Sequence, residues 1–474
     1  MEVKLFNTMS RSTEVFDPIE AGKAGIYTCG PTVYHHAHIG NMRAYVAADV
    51  LVRTLRLSGL DVKHVMNITD VGHLTSDEDE GDDKMEVGAA REGITAWDIA
   101  ERYTVSFFEQ SEKLNIKRPN IVCRATDHIA QQITMIEQLE EKGFAYTTDE
   151  AVYFDTTKID DYGKLARLDL DGLRGGERVD LGAKHCKTDF ALWKFSRGEK
   201  RQMEWDSPWG VGFPGWHIEC SAMSAHYLGD QFDIHTGGID HIPVHHTNEI
   251  CQSECATGKA PFAKFWLHSE FLRLLDDIKM SKSSGDFLTV FALEERGYDP
   301  LAFRLLCLKA HYRTAMKFSW DVLDGAATQY RRMRLAVTAL LDQGDADAIT
   351  DITADAGSAK YDTLIRTALY DDLATPAALT HLQAAISDDA LSADQKLALV
   401  KTFDGVFGLS LLEPYVEESD SDAGEDVQAM LDARQQARQD KNWAEADRLR
   451  DAIAAAGYVI VDTPDGPKLE AAKA

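Results

Sequence analysis

The chain has 474 residues, 44% of them hydrophobic and 27% charged, which is typical of a folded protein with several domains. Its 50 basic and 78 acidic residues give a net charge of −28, which excludes indiscriminate nucleic-acid binding through an overall positive charge. No apolar run is long enough to span a bilayer, the N-terminus lacks the apolar core of a signal peptide, and the seven cysteines are not spaced like a disulfide framework. We therefore expect a cytoplasmic protein without a membrane partner.

The first 120 residues alternate between short apolar runs and amphipathic segments. Residues 25–28 predict a strand, residues 42–57 a helix and residues 61–69 a second strand. This alternation favours an α/β fold with a doubly wound parallel sheet. The run 77–83 contains six acids and no hydrophobe, so it predicts a solvated loop to which we assign no function.

An insertion interrupts this pattern. Residues 121–204 include a predicted helix at 129–142 and a predicted strand at 151–155, and the α/β pattern then resumes over residues 205–275. We therefore expect residues 1–120 and 205–275 to form one domain.

The remainder of the chain is predicted to be mainly helical. We expect a loop and connecting region at 276–320, a helical bundle at 321–412, and two helices with a hairpin at 420–474. The pair Thr375-Pro376 predicts a helix start, with Thr375 as the N-cap and Pro376 at the first helical position.

A candidate anion site lies where the first predicted strand leads into the first long helix. The segment His38-Ile39-Gly40-Asn41 occupies this helix start. Free amide groups and the helix dipole favour an anion at such a position, and His38 adds a side-chain donor. The segment is therefore suited to phosphate.

A second phosphate-compatible segment is Lys279-Met280-Ser281-Lys282-Ser283. Its two lysines and its hydroxyl groups suit the charge of a polyphosphate. Taken alone, this segment could be an ordinary lysine-serine loop, and the upstream segment an ordinary histidine-rich turn.

Four residues form a candidate metal-binding set: Cys29, Cys220, His245 and Glu249. On a helix, His245 and Glu249 would lie one turn apart on the same face. Two sulfurs, an imidazole and a carboxylate make a plausible zinc set. The spacing alone is equally compatible with an ordinary helix start carrying polar residues.

In order and separation, the two phosphate-compatible segments resemble the signature sequences of class I aminoacyl-tRNA synthetases. The resemblance narrows to the cysteinyl-tRNA synthetase family and covers nearly the whole chain. The segments that carry it are 27–34, 67–70, 214–223, 232–235, 237–240 and 245–249. One position departs from the family pattern: the first signature usually ends in histidine, and this chain has Asn41, which can donate a hydrogen bond but cannot become cationic.

The resemblance implies the following sites. One zinc ion would be held by Cys29, Cys220, His245 and Glu249 and would select the substrate thiolate, while Thr69 and Trp216 would line the cysteine pocket. ATP, with Mg²⁺, would be bound by His38, Gly40, Asn41, Gly237, Gly238, Asp240, Lys279, Ser281 and Lys282. Among these, His38, Asn41, Lys279 and Lys282 would act in catalysis.

The resemblance also implies a fold and a reaction. The fold would be a Rossmann-like catalytic domain with the connective peptide inserted at 121–204, a stem-contact region at 276–320 and an anticodon-binding region at 420–474. The reaction would join L-cysteine to tRNA(Cys) through a cysteinyl adenylate formed from ATP. We expect a monomer.

A tRNA partner would require local basic patches on this acidic chain. One candidate consists of Arg434, Arg438, Lys441, Arg448 and Arg450. Acidic residues alternate with these cations, so a solvated face of mixed charge is an equally good interpretation.

Two alternative functions are compatible with the same catalytic half. One is the ligase that joins cysteine to an amino sugar in mycothiol synthesis, which resembles this half but lacks a full anticodon-binding region; residues 420–474 therefore favour tRNA. The other is a catalytically inactive relative that serves as a binding module. Its only support is the departure at Asn41.

Overall fold

The computed structural model describes residues 1–72, 74, 83–167, 183–198, 201–275, 288–415, 425–463 and 466–471. The chain divides into two compact units, Met1–Glu413 and Pro414–Ala474. Lys279, Ser281 and Lys282, together with most of the acidic run 77–83, lie outside the described residues.

The described strands of the first unit are β1 (Lys4–Asn7), β2 (Ser12–Val15), β3 (Lys23–Thr28), β4 (Asp61–Ile68), β5 (Ile121–Arg124), β6 (Ala145–Thr147), β7 (Ala151–Phe154), β8 (Phe190–Phe195), β9 (Gly212–Pro214), β10 (Phe232–Gly238), β11 (Ala263–Ser269), β12 (Leu272–Leu274) and β13 (Met316–Phe318). Its described helices are α1 (Ile39–Leu57), α2 (Lys84–Glu92), α3 (Ala96–Lys113), α4 (Ile129–Glu141), α5 (Trp216–Leu228), α6 (His245–Thr257), α7 (Val290–Glu295), α8 (Pro300–Leu308), α9 (Trp320–Leu341), α10 (Ala356–Tyr370), α11 (Thr375–Ser387) and α12 (Ala393–Phe407).

A parallel sheet forms the centre of the first unit. Its described strands lie in the order β11-β10-β3-β4-β5, and every neighbouring pair is parallel. Strands β3, β4 and β5 extend the sheet in one direction, whereas β10 and β11 return to the other side of β3. The chain order therefore reverses between β3 and β10, where open α/β sheets bind ligands beyond the carboxyl ends of their strands. The predicted doubly wound parallel sheet is confirmed.

Helix α1 packs along this sheet and is buried over most of its length. It carries three buried charged residues, Arg43, Asp49 and Arg53, within an otherwise apolar surface. Among the helices of the described residues, none is both long and apolar enough to cross a membrane.

The insertion lies between β5 and β10 and forms its own antiparallel sheet in the order β6-β7-β8-β9. Its extent differs from the predicted range 121–204 at both ends. Ile121–Arg124 pairs with β4 in the central sheet, and Gly212–Pro214 pairs with β8 in the inserted sheet. Which sheet each boundary strand joins depends on the strand it pairs with, and the sequence pattern does not identify that partner strand.

A buried ion cluster joins the central sheet region to the helical bundle. Arg304 on α8 is fully buried and donates to the Asp49 carboxylate (2.6 Å) and to the backbone carbonyls of Phe407 (2.5 Å) and Leu114 (2.8 Å). Arg53 also donates to Asp49, at 2.8 Å. Burial raises the pKa of Asp49, but the charges of Arg304 and Arg53 outweigh burial and lower it.

Replacing Arg304 with leucine is expected to lower the free energy of unfolding by about 3 kcal/mol, because Asp49 would keep only one of its two buried cationic partners. Urea unfolding measures this loss. Arg102→Leu is the matched control: Arg102 also pairs with a carboxylate but is 61% exposed, so a change below about 1 kcal/mol is expected. Equal losses in the two variants would contradict the prediction.

The second unit is a small helical pair with a hairpin. Helices α13 (Glu425–Gln439) and α14 (Trp443–Ala455) precede strands β14 (Tyr458–Thr463) and β15 (Gly466–Ala471), which pair in antiparallel. A small apolar core is formed by Val427, Leu431, Ile453 and Leu469.

Some cations of this unit have acidic neighbours as partners. Arg448 pairs with Glu445, and Arg450 pairs with Asp447 and Asp451. These contacts agree with the mixed-charge interpretation of this surface.

Candidate active site

A cavity of about 520 Å³ opens where β3 and β10 end. Its lining includes the connection between β3 and α1, the start of α5, the last residues of β10 and the short turn that follows β10. It therefore lies at the sheet position where the chain order reverses.

His38 and Asn41 form the start of α1. The Asn41 backbone N–H donates to His38 Nδ1 (3.2 Å), and the His38 backbone N–H donates to Asn41 Oδ1 (3.3 Å). This reciprocal pair is a capping box. The Asn41 carbonyl oxygen is used by the cap, so the amide NH₂ group is the part of this side chain with donors for a ligand.

The same contact defines the proton position on His38. Its Nδ1 accepts a hydrogen bond from a backbone amide, so this nitrogen carries no proton. Burial lowers the pKa of His38, although the charge of Asp240 opposes this effect. The neutral ring then carries its proton on Nε2, which makes this atom a hydrogen-bond donor.

Gly237 and Gly238 end β10 beside the cavity, and a side chain at either position would crowd a neighbouring side chain. A Cβ on Gly237 would lie 2.6 Å from His241 Nδ1, and one on Gly238 would lie 2.2 Å from Asp240 Oδ1. Asp240 follows in a short 3₁₀ turn and is exposed. A ligand can therefore approach this backbone closely, next to a carboxylate.

The four predicted metal ligands come together from three elements. Cys29 follows β3, Cys220 lies in α5, and His245 and Glu249 lie one turn apart in α6. All four are buried, and one ligand atom from each lies within 4.8 Å of the others.

The distances in this set suit a tetrahedral metal ion. The two sulfurs of Cys29 and Cys220 are 4.0 Å apart, close to the ~3.8 Å expected for two sulfurs bound to one tetrahedral zinc. His245 Nε2 and Glu249 Oε1 are 2.9 Å apart. The donor types and their separations therefore fit zinc.

A second set of donors overlaps with the first and consists of Cys29, His235, His246 and Glu249. Only Cys29 of this second set lines the cavity, whereas Cys29, Cys220 and His245 of the first set all do. An ion held by the first set could therefore contact a ligand in the cavity. The first set is therefore the candidate metal site that a ligand in the cavity could reach.

Within the first set the pKa shifts point in different directions: burial raises the pKa of the Cys29 thiol, whereas the pKa values of Cys220 and Glu249 are lowered. Burial raises the pKa of Cys220, but hydrogen bonds with Cys29 and His245 outweigh burial and lower it to about 6. Burial lowers the pKa of His245, but the Glu249 charge and the hydrogen bonds with Cys220 and Glu249 raise it to about 10. A metal ion at this position would replace the extra proton of His245 and would neutralise the Cys220 thiolate and the Glu249 carboxylate together.

Two neighbouring histidines contact members of the first set. His217 Nδ1 lies 3.0 Å from His245 Nδ1, and His235 Nε2 lies 2.9 Å from Glu249 Oε2. Such partners hold metal ligands in place. Neither histidine was predicted from the sequence; the available signal was that seven of the sixteen histidines fall between residues 217 and 268.

Trp216 and Thr69 border the same cavity as the metal set. The Trp216 ring stacks on the His245 ring, with centroids 4.1 Å apart and planes at 27°. Thr69 is 2% exposed, and its hydroxyl accepts a hydrogen bond from Asn67 Nδ2 at 3.0 Å. Both residues can therefore contact a small ligand that lies beside the candidate metal-binding set.

Sequence reasoning also missed an aromatic part of the cavity lining. It includes Tyr34, His36, Tyr103 and Phe107, and the cationic Lys84 lies in the same lining. Tyr103 and Phe107 lie one turn apart on α3, a spacing that looks like ordinary core packing in the sequence.

Two protein-family models match this chain, one over the catalytic part and one near the C-terminus. Residues 15–328 match the model of the "tRNA synthetases class I (C) catalytic domain", and residues 420–466 match that of the "Cysteinyl-tRNA ligase anticodon binding domain". Together with these matches, the parallel sheet and the site where its chain order reverses define a class I aminoacyl-tRNA synthetase.

Full-length relatives narrow the class further. The chain is 52% identical over 472 residues to "Cysteine--tRNA ligase 1" of Burkholderia lata, covering 99% of this chain and 97% of the relative. It is 43% identical to "Cysteine--tRNA ligase" of Treponema denticola, covering 98% of each chain. The chain belongs to the cysteine-tRNA ligase family.

Solved structures of lower identity share the fold. A methionyl-tRNA synthetase of Mycobacterium tuberculosis, in complex with methionyl-adenylate, superposes with a TM-score of 0.54 at 16% identity, covering 84% of this chain and 92% of the other. LeuRS of Agrobacterium radiobacter K84, in a ternary complex with tRNA and LeuAMS, gives a TM-score of 0.57 at 13% identity, covering 86% and 88%.

Proposed function

We propose that this chain activates L-cysteine with ATP and transfers it to tRNA(Cys). The observation that carries this proposal is that one cavity contains both a sulfur-rich metal-binding set and the start of helix α1 at His38. An amino acid held by its thiol at the metal end would direct its carboxylate towards a phosphate at the helix end.

We propose zinc as the metal at Cys29, Cys220, His245 and Glu249, on the basis of donor types and distances. When bound, zinc would prefer the thiolate of cysteine to the hydroxyl of serine, whereas pocket size discriminates these substrates only weakly. The residues of this chain contribute a buried set that is closed by protein on one side and open to the cavity on the other.

In the first step, the carboxylate of cysteine attacks the α-phosphorus of ATP, and pyrophosphate leaves. His38 would donate from Nε2 to a phosphate oxygen, and Asp240 would accept from ribose hydroxyls beside Gly237 and Gly238. Lys279 and Lys282, with Mg²⁺, would neutralise the departing pyrophosphate; their positions rest on the sequence. The amide of Asn41 and the hydroxyl of Ser281 would provide further donors.

In the second step, a hydroxyl of the terminal adenosine of tRNA attacks the carbonyl of the adenylate, and AMP leaves. No protein nucleophile is required. The match of residues 420–466 to an anticodon-binding domain supports tRNA as the acceptor. A cytoplasmic, monomeric protein stays a prediction, and the seven free cysteines are compatible with the cytoplasm.

Cysteine-dependent exchange of pyrophosphate into ATP, followed by aminoacylation of tRNA(Cys), tests the proposed function. Exchange with cysteine, little exchange with serine, and transfer to tRNA are expected. Exchange without transfer to tRNA would instead favour the amino-sugar ligase. Absence of exchange would favour the inactive binding module.

Replacing Trp216 with leucine is expected to raise the KM for cysteine about tenfold, because the indole ring that stacks on His245 and borders the substrate position would be lost. The KM for ATP should stay unchanged, and pyrophosphate exchange measures both constants. Trp97→Leu is the control, since Trp97 is 46% exposed and does not line the cavity. Equal changes in the two KM values would contradict a role for Trp216 in cysteine binding.

A further inference from the structure

Arg43 is a buried cation in the second turn of α1 and is 2% exposed. Its guanidinium group donates to four backbone carbonyls. Nη1 contacts the carbonyls of Glu270 (2.5 Å) and Phe271 (2.6 Å), and Nη2 contacts those of Thr314 (2.5 Å) and His311 (3.3 Å). One side chain therefore joins α1 to two distant segments of the chain.

These two segments lead directly into a small sheet. Glu270 and Phe271 precede β12, the segment 311–314 precedes β13, and β12 and β13 pair in parallel. Arg43 thus holds the beginnings of both strands against α1.

Asp372 fixes the second segment from another side. Its carboxylate accepts from Tyr312 Oη (2.7 Å) and from Arg313 Nε (2.7 Å). The segment before β13 is therefore held in place by Asp372 as well as by Arg43. Because Arg43 also contacts the residues before β12, it fixes the start of β12 relative to this segment.

The Lys279–Ser283 signature follows β12 in the sequence, with residues 275–278 between them. The described residues stop at Leu275 and resume at Leu288, whose carbonyl accepts a hydrogen bond from the Ile39 backbone N–H at 2.8 Å. On the entering side, Leu272 packs close to α1: a Cβ on Gly40 would lie 3.8 Å from Leu272 Cβ. Both flanks of the stretch that contains Lys279 and Lys282 thus contact the first turn of α1, which follows His38.

We propose that Arg43 is a positioning residue for adenylate formation, which fixes the strand leading to Lys279 and Lys282 relative to His38. The proposal rests on the proposed function and adds a residue that touches neither ATP nor cysteine. Arginine suits this role because its planar fork offers five donors in fixed directions, whereas lysine offers three donors on a flexible stem. A displacement of about 1 Å at a reacting group can cost about 100-fold in rate.

The test is a double-mutant cycle in the full-length protein, measured as the kcat of cysteine-dependent pyrophosphate exchange. Arg43→Lys is expected to lower kcat about 10- to 100-fold, and Arg43→Gln is expected to lower it more, so that lysine rescues part of the function. In the background of Lys282→Ala, either Arg43 substitution should cost less than about threefold, because Arg43 acts through a lysine that is no longer present. The KM for cysteine should stay within about twofold in the single variants, because the metal site is untouched.

Arg53 provides a matched control on the same helix. It is also buried and donates to the backbone carbonyls of Gly405 (2.9 Å) and Asn115 (2.5 Å), which are not in the segments that Arg43 contacts. Arg53→Lys should change kcat by the same factor whether or not Lys282 is present.

Equal losses from Arg43→Lys in the two backgrounds would overturn the proposal and make Arg43 an ordinary structural residue. Failure of both Arg43 variants to fold, seen by circular dichroism, would lead to the same conclusion. Absence of exchange in the unaltered chain would refute the proposed function itself, and with it the reaction in which Arg43 is placed.

Discussion

Replacing Cys220 with serine is expected to remove bound zinc and cysteine activation together. The substitution removes one of two sulfurs in a buried four-ligand set and leaves a hydroxyl, which zinc binds poorly. Activity should fall by about 100-fold or more, because even residues that only orient ligands are worth about 10- to 100-fold. Zinc content by mass spectrometry and pyrophosphate exchange on the same sample measure both effects.

Cys251→Ser is the matched control for this experiment. Cys251 is 5% exposed and lies on α6 with His245 and Glu249, but it belongs to neither of the two metal-binding sets found among the described residues. It should retain zinc and activity. Retention of both by Cys220→Ser would show that the metal assignment is wrong.

Replacing Lys282 with alanine is expected to lower the kcat of pyrophosphate exchange by about 100- to 1,000-fold, the loss typical of removing one donor to a developing negative charge. Zinc content and the affinity for free cysteine should change little, because the metal set comes from other elements. Pyrophosphate exchange and calorimetric titration with cysteine measure the two properties separately.

Lys317→Ala is the control for the loss of a positive charge near the same strands. Lys317 is exposed on β13, next to β12, and no role in ATP binding is assigned to it. Exchange should be unchanged in this variant. If Lys282→Ala lost zinc, Lys282 would have a structural role rather than a role in charge neutralisation.

The sequence predicted the features that depend on local pattern. Apolar runs and amphipathic periodicity located β3, α1 and β4, because a strand between helices buries both of its faces and shows a short continuous apolar run. The candidate metal set was found differently: spacing linked only His245 to Glu249 and left the four-residue set undecided, and the family resemblance then matched all four positions. Three elements that are far apart in the chain meet at this set, and local sequence patterns do not predict such long-range contacts.

The features that the sequence did not predict depend on tertiary contacts. Thr375 was predicted to be the N-cap of its helix, and this was wrong: Ala374 occupies the N-cap, and the Thr375 hydroxyl donates to the Leu308 carbonyl at 2.8 Å. The Thr375 hydroxyl thus bonds to a carbonyl of α8 and not to a backbone N–H group in the first turn of its own helix. Arg43 and Arg304 are charged and therefore expected at the surface, yet both are buried, because backbone carbonyls and a carboxylate from distant segments satisfy them.

The connection from Cys29 to His38 has a consequence for the size of the substrate. Gly30 is pressed against β4, since a Cβ at this position would lie 1.6 Å from the Asn67 carbonyl oxygen. The residue that would hold the sulfur and the residue that would face the phosphate therefore belong to one short piece of chain with little freedom to shift. This segment therefore fixes the distance between the candidate metal site and the phosphate position. A thiol amino acid one methylene longer than cysteine would not match this distance.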